Sequence, residues 1–208
     1  MTLDLLFALF AFALVAVVTP GPNNVMLLAA GANFGLRRSL PHMAGVAMGV
    51  PIMVMILGQG VLPLFDAYPA LHTGLLVVCI LYLLWLAWKI AGAGAPRAGD
   101  GDATPADTPL TFLQAVAFQW VNPKAWTMAI GAITVYAPGA GRDPNVGQGA
   151  LLWVAVAFLC MGMVSTTLWV TLGQQVRRWL GTHRRLRVFN VTMATLMVLS
   201  MGYALTLG

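Results

Sequence analysis

Apolar residues in this chain do not alternate with polar ones. They run in long blocks, separated by short breaks rich in charge, proline or glycine. Six blocks cover residues 5–33, 41–62, 70–92, 111–136, 149–174 and 187–207. Each reaches or exceeds the roughly 20 residues a helix needs to cross about 30 Å of hydrocarbon. The pattern predicts six transmembrane helices and no strands. The breaks are Gly35-Leu36-Arg37-Arg38, Pro63 to Pro69, Ala93 to Pro109, Pro138 to Gly147 and Arg177 to Arg187. The longest, residues 93–110, has Gly, Pro and three Asp without apolar periodicity, and reads as a flexible cytoplasmic linker. It divides the chain into a first three-helix unit, 1–92, and a second, 111–208.

Composition agrees. Of 208 residues, 60% are hydrophobic and 8% charged, and the six acidic residues are all Asp. Soluble domains carry roughly 25% charged residues, so an isolated soluble monomer is excluded, as is a disordered chain. Two cysteines cannot build a disulfide framework. Only Asp4 carries charge ahead of the first apolar run, so that run reads as a retained span and not a cleavable signal.

The basic residues set the orientation. Arg37, Arg38, Lys89, Arg97, Arg177, Arg178, Arg184, Arg185 and Arg187 fall on the first, third and fifth loops, against only Arg142 on the other side. Spanning proteins keep such an excess in the cytoplasm. Both termini are therefore expected outside. The net charge of +5 is accounted for by topology and does not point to nucleic acid. Trp85 and Trp88 beside Lys89 fit an interfacial belt.

Two of the six spans cannot be continuous. The first contains Thr19-Pro20-Gly21-Pro22-Asn23-Asn24, where two prolines around a glycine interrupt helical hydrogen bonding. Residues 4–18 and 23–35 give helices of only about 22 and 20 Å, so the break lies within the membrane. The fourth contains Trp120-Val121-Asn122-Pro123-Lys124-Ala125, and its halves are as short. Irregular backbone at such depth must face protein or a wet cavity. A lysine there is a functional candidate by default; the alternative is that Lys124 snorkels to the interface and the fourth span only kinks at Pro123. The two breaks occupy the first helix of each three-helix unit, and those helices start on opposite sides. That is the sequence sign of an inverted-repeat secondary transporter with its site between the breaks. The exposed N–H groups of a half-helix suit a carboxylate.

Pro20, Gly21 and Pro22 are expected to hold the first break. Asn23 and Asn24 are expected either to cap the following half-helix or to hydrogen-bond a substrate. Asn122, Pro123 and Lys124 form the second candidate cluster, with Lys124 facing the substrate carboxylate. Gly45 and Gly49 are spaced for close helix packing. The spans contain no Asp or Glu, so the candidates for proton coupling are Lys124 and His42, the latter near the cytoplasmic start of the second span. Gln114, Gln119, Ser165, Thr166, Thr167 and Thr171 are mostly assigned to structure. His42, His72 and His183 are scattered, so no metal site is expected, and no phosphate-cradling loop appears.

These residues resemble the lysine exporter (LysE/RhtB) family of amino-acid exporters. The resemblance rests on Thr19-Pro-Gly-Pro-Asn23; on Gly31, Gly35, Gly45 and Gly49; on Leu83 to Lys89; and on Phe112 to Phe118 followed by Asn122-Pro123-Lys124-Ala125. It implies export from the bacterial cytoplasm across the inner membrane, proton antiport without a cofactor, and often a homodimer. Pro41 to Gly49 looks closest to the branch exporting neutral compounds such as cysteine, O-acetylserine, threonine or homoserine. Val50-Pro51-Ile52-Met53 stands where exporters of basic amino acids tend to carry an acidic residue. Two competing readings are a membrane thiol–disulfide oxidoreductase and a non-transporting scaffold. The first needs two thiols beside the breaks, and Cys79 and Cys160 are expected near neither. The second leaves the broken helices and Lys124 unexplained.

Overall fold

The computed structural model describes residues 1–61, 63, 67–92, 108–140, 142, 147–177, 179 and 182–206. Asp66, Arg97, Arg178 and residues 93–107 of the expected linker lie outside the described residues, as do the side chains of His72, Lys89 and His183. The described residues form seven helices and no strand. They are α1 (Leu3–Val18), α2 (Pro22–Leu57), α3 (Pro69–Gly92), α4 (Phe112–Gln119), α5 (Pro123–Tyr136), α6 (Gln148–Arg177) and α7 (His183–Thr206).

Both expected breaks are present. Helix α1 stops at Val18 and α2 begins at Pro22; α4 stops at Gln119 and α5 begins at Pro123. Each restart has proline in the first turn after an extended cap residue, Gly21 or Asn122. Proline fits there because its missing N–H would be unpaired in any case.

Helix α2 is two arms in one run of 36 residues. They meet at Gly35, whose φ of 79° is non-helical and in the left-handed region that favours glycine. The packing against α6 gives the direction of each arm. Gly35 faces Gln174 and Arg177, Gly31 faces Val170, and farther back along the chain Val17 accepts from Ser165. On the other arm Ala47 lies against Gly162 and Gly58 against Leu151. Both arms thus run back from Gly35 along α6 in the same direction, so the chain reverses at Gly35, where the sequence predicts its first loop. Residues 22–34 and 36–57 are separate arms, the second long enough to span alone.

Three helices among the described residues are long and apolar enough to cross a membrane: Pro22–Leu57, Thr73–Gly92 and Gln148–Arg177. Leu3–Val18 is apolar but shorter. Helices α4 and α5, on either side of the second break, are shorter still.

The outside of this bundle is as apolar as its inside. Leu81, Trp88 and Leu113 are 63%, 75% and 74% exposed. In lipid that surface costs nothing, and backbone closeness holds helices together instead. A Cβ added to Gly31 would lie 2.2 Å from the Val170 carbonyl oxygen, and one added to Gly173 would lie 2.1 Å from that of Leu28. The first arm of α2 therefore crosses α6 backbone to backbone. Gly45 and Gly49 do the same for the second arm against α4, facing the Phe112 carbonyl and Gln119.

Candidate functional site

The two breaks meet. A cavity opens between them, halfway along the unbroken helices. Gly21, Asn23 and Asn24 line it from the first break, and Asn122 and Lys124 from the second. Val46 and Val50 of α2, and Gly162, Ser165 and Thr166 of α6, close its walls. Residues 162–166 are near the middle of the 30-residue α6, so the cavity lies at depth. Lys124 is the only charged residue among those lining it.

The first break gathers side chains from three other places. The last carbonyls of α1 have no helical partner. Asn24 Nδ2 donates to the oxygens of Val17 (2.8 Å), Val18 (3.3 Å) and Thr19 (2.8 Å). Ser165 Oγ donates to Val17 at 2.8 Å and Trp169 Nε1 to Val18 at 3.3 Å. Lys124 Nζ donates to the Thr19 carbonyl. A cation is favoured at that place because the carbonyl end of a helix carries partial negative charge.

The α2 side of the break is different. Gly21 is the cap residue, and no side chain caps the helix. Asn23 and Asn24 were both candidates for that role, and neither fills it. Asn24 turns back to α1, where three carbonyls without helical partners accept from its amide. Asn23 pairs with Gln119 through two reciprocal bonds, 2.8 and 3.2 Å. The amide N–H groups of Asn23 and Asn24 in the first α2 turn therefore take no side-chain cap. Gly21 is extended, a backbone any residue adopts, but a Cβ there would come within 2.8 Å of Lys124 Cδ. Its small size makes room for the lysine.

The second break satisfies itself. Asn122 Oδ1 accepts from the Lys124 N–H at 3.2 Å, capping α5. The Trp120 carbonyl accepts from Trp126 Nε1 at 3.0 Å. One donor remains over: Asn122 Nδ2 is buried and has no partner among the described residues.

Pro20 is exposed on the outer side of the first break, while Pro22 is buried. His42 is not at this site; it is buried in a separate cavity. Cys79 requires a correction. Its Sγ lies 3.9 Å from the Trp120 carbonyl, so it packs against the second break, which a span count alone could not show. Cys160 is exposed on α6, and both thiols are free. One thiol at one break does not make a redox pair.

Sequence reasoning missed Gln119, Ser165 and Trp169 as parts of the site. Thr167 and Thr171 bond their own helix, as expected of Ser and Thr at depth. Ser165 does not, and nothing in its local sequence distinguishes it.

The LysE type translocator family profile matches residues 14–207. A cysteine/O-acetylserine efflux protein of Escherichia coli O1:K1 is 30% identical over 204 residues, covering 95% of this chain and 96% of its own. One from Salmonella choleraesuis is 31% identical over 201 residues, with 95% and 96% covered. One from Klebsiella pneumoniae is 29% identical over 178 residues, 86% of each chain. No solved structure matches significantly. The match covers both broken helices and the reversal between them, and the chain belongs to the LysE type translocator family, a family of membrane transporters and not of enzymes.

Proposed function

We propose that this protein exports small neutral amino acids, of the cysteine and O-acetylserine class, from the bacterial cytoplasm across the inner membrane. The observation that carries the reading is the meeting of both breaks at one cavity, with Lys124 of one against the carbonyl end and uncapped helix start of the other. An amino-acid carboxylate fits between Lys124 and the free N–H groups of the first α2 turn. To take it, Lys124 exchanges the Thr19 carbonyl for the carboxylate. Asn122 Nδ2, buried and without a partner, supplies a further donor. Among the described residues no acidic side chain lines the cavity, so a cationic side chain would find no counter-charge among them. This supports neutral substrates, and the names of the relatives agree.

The architecture in this reading is six spans in two inverted repeats, the first and fourth broken. It is supported by the matching restarts at Pro22 and Pro123. It is also supported by reciprocal packing: the first span of each half lies on the second span of the other, Gly31 on α6 and Gly45 on α4. Alternating access would rock one half against the other around the breaks. Proton antiport, with Lys124 as the titrating group nearest the substrate, and assembly as a homodimer belong to the same reading.

The test is transport. Inverted vesicles containing the protein are given a panel of labelled amino acids with and without a proton gradient. Uptake of cysteine and O-acetylserine, lost when the gradient is collapsed, is expected. Saturable uptake of lysine or arginine alone would overturn the substrate class, and gradient-independent uptake would overturn the coupling. A reporter fused after Gly208 should be active only outside; activity in the cytoplasm would invert the assigned sides.

A further inference from the structure

A second cavity lies beside the Gly35 reversal. The first arm of α2, the end of α3 and residues 108–110 wall it, and His42 enters from the second arm. His42 is 2% exposed, and neither ring nitrogen has a hydrogen-bond partner among the described residues. Asn33, also buried, lines the same cavity. Its Nδ2 donates to the Ala29 carbonyl (2.8 Å) and to Asn190 Oδ1 (3.2 Å), which fixes the amide with Oδ1 toward no protein donor. Three polar atoms thus stand unpaired in one cavity whose other walls include Met26, Leu86 and Ile90. Buried polar groups are normally paired, and a site with no use for them would be filled by Leu or Phe at no cost in hydrogen bonds.

The donor set defines what fits. A neutral imidazole offers one donor and one acceptor, and Asn33 Oδ1 is a second acceptor. Among the described residues no charged side chain lines the cavity. The partner is a small, net-neutral polar solute with more than one N–H, O–H or S–H to give. The place is equally specific. His42 and Val46 are one helical turn apart on α2, and Val46 lines the cavity between the breaks. The two cavities are therefore stacked along α2, about 6 Å apart in helix rise.

We infer that this cavity is a second solute site, in which His42 and Asn33 hold the transported amino acid on the loop side of the site between the breaks. The inference rests on the export reading above. It makes His42 a specificity-determining residue for entry.

The experiment uses the full chain in proteoliposomes, with labelled cysteine under reducing conditions as the probe, measuring both export and equilibrium binding. His42→Phe should raise KM about tenfold, as expected for one or two lost hydrogen bonds, with the maximal rate within about twofold. His42→Gln, which keeps a donor and an acceptor, should recover most of that loss. The thermal midpoint of His42→Phe should not fall, since His42 gives the fold no hydrogen bond; a purely structural histidine would lower it. Lys124→Met serves as the contrast, losing maximal rate. If the protein exports cysteine and His42→Phe leaves KM and binding unchanged, the second site is overturned while the export reading stands. If nothing is exported yet cysteine binds in a His42-dependent way, the export reading falls and this site stands. If cysteine neither moves nor binds, both fall.

Discussion

The two helix breaks have the same local grammar and opposite roles. Each ends one half-helix, passes through an extended residue and restarts at a proline. The second closes on itself: Asn122 caps α5, and Trp126, six residues on, takes the Trp120 carbonyl. The first does not. Its carbonyls need Asn24, Ser165, Trp169 and Lys124, and its helix start has no side-chain cap. A self-satisfied break can serve as a rigid mount, and here it delivers Lys124. A break that depends on other elements is one whose local geometry those elements can change. In the proposed reading, the asymmetry separates the part that carries the charge from the part that would receive the ligand.

The strongest way to break this comparison is at Lys124. Lys124→Met should leave a membrane-inserted protein with export below about 1% of normal, a loss of roughly 2.7 kcal/mol or more in transition-state terms. Lys124→Arg should fail too, being broader and unable to release a proton. Export retained by Arg but not by Met would make the residue a fixed charge only. Normal export by Met would remove the lysine from the site.

Asn24→Leu attacks the receiving break. Three carbonyl bonds vanish in a part-buried place, where each group left unsatisfied costs at most about 1–3 kcal/mol. Ser165 and Trp169 still serve Val17 and Val18, so a net loss of about 2–3 kcal/mol is expected, read as a lower thermal midpoint in detergent. An unchanged midpoint would show that α1 does not depend on Asn24.

Gly21→Ala should be milder. Its backbone accepts alanine, and the new Cβ meets the flexible end of Lys124. Export should drop about tenfold through displacement of the ammonium, equivalent to about 1.4 kcal/mol, with stability unchanged. A stability loss instead would mean that the break itself cannot accept a side chain.

Asn122→Ala is the smallest. It removes one cap, worth about 1 kcal/mol, from the break that otherwise satisfies itself. If Asn122→Ala destabilised more than Asn24→Leu, the assignment of rigid mount and dependent receiver would be reversed.

Much of this was legible in the sequence because span length and proline chemistry are local. Thirty ångströms of hydrocarbon against short half-helices leads to the expectation of breaks at depth, and Pro22 and Pro123 mark where helix resumes. Gly35 likewise announces the reversal, since only glycine adopts its φ readily. The family resemblance drew on the same residues.

Three-dimensional closeness was not legible. That Asn24 serves α1 and leaves its own helix uncapped follows from carbonyls brought against it, and no spacing records that. Ser165 and Thr167 look alike in sequence, yet Ser165 faces the first break because α6 crosses it there, while Thr167 returns to its own backbone. Cys79 touches the second break across the bundle. His42 and Asn33 sit on opposite sides of the Gly35 turn and share a cavity only because the chain folds back there. Elements are determined by what each segment does with lipid and with its own backbone. Their pairing is determined by which small residues let two backbones approach, as at Gly31 and Gly173, and that is a property of surfaces which meet only in the folded protein.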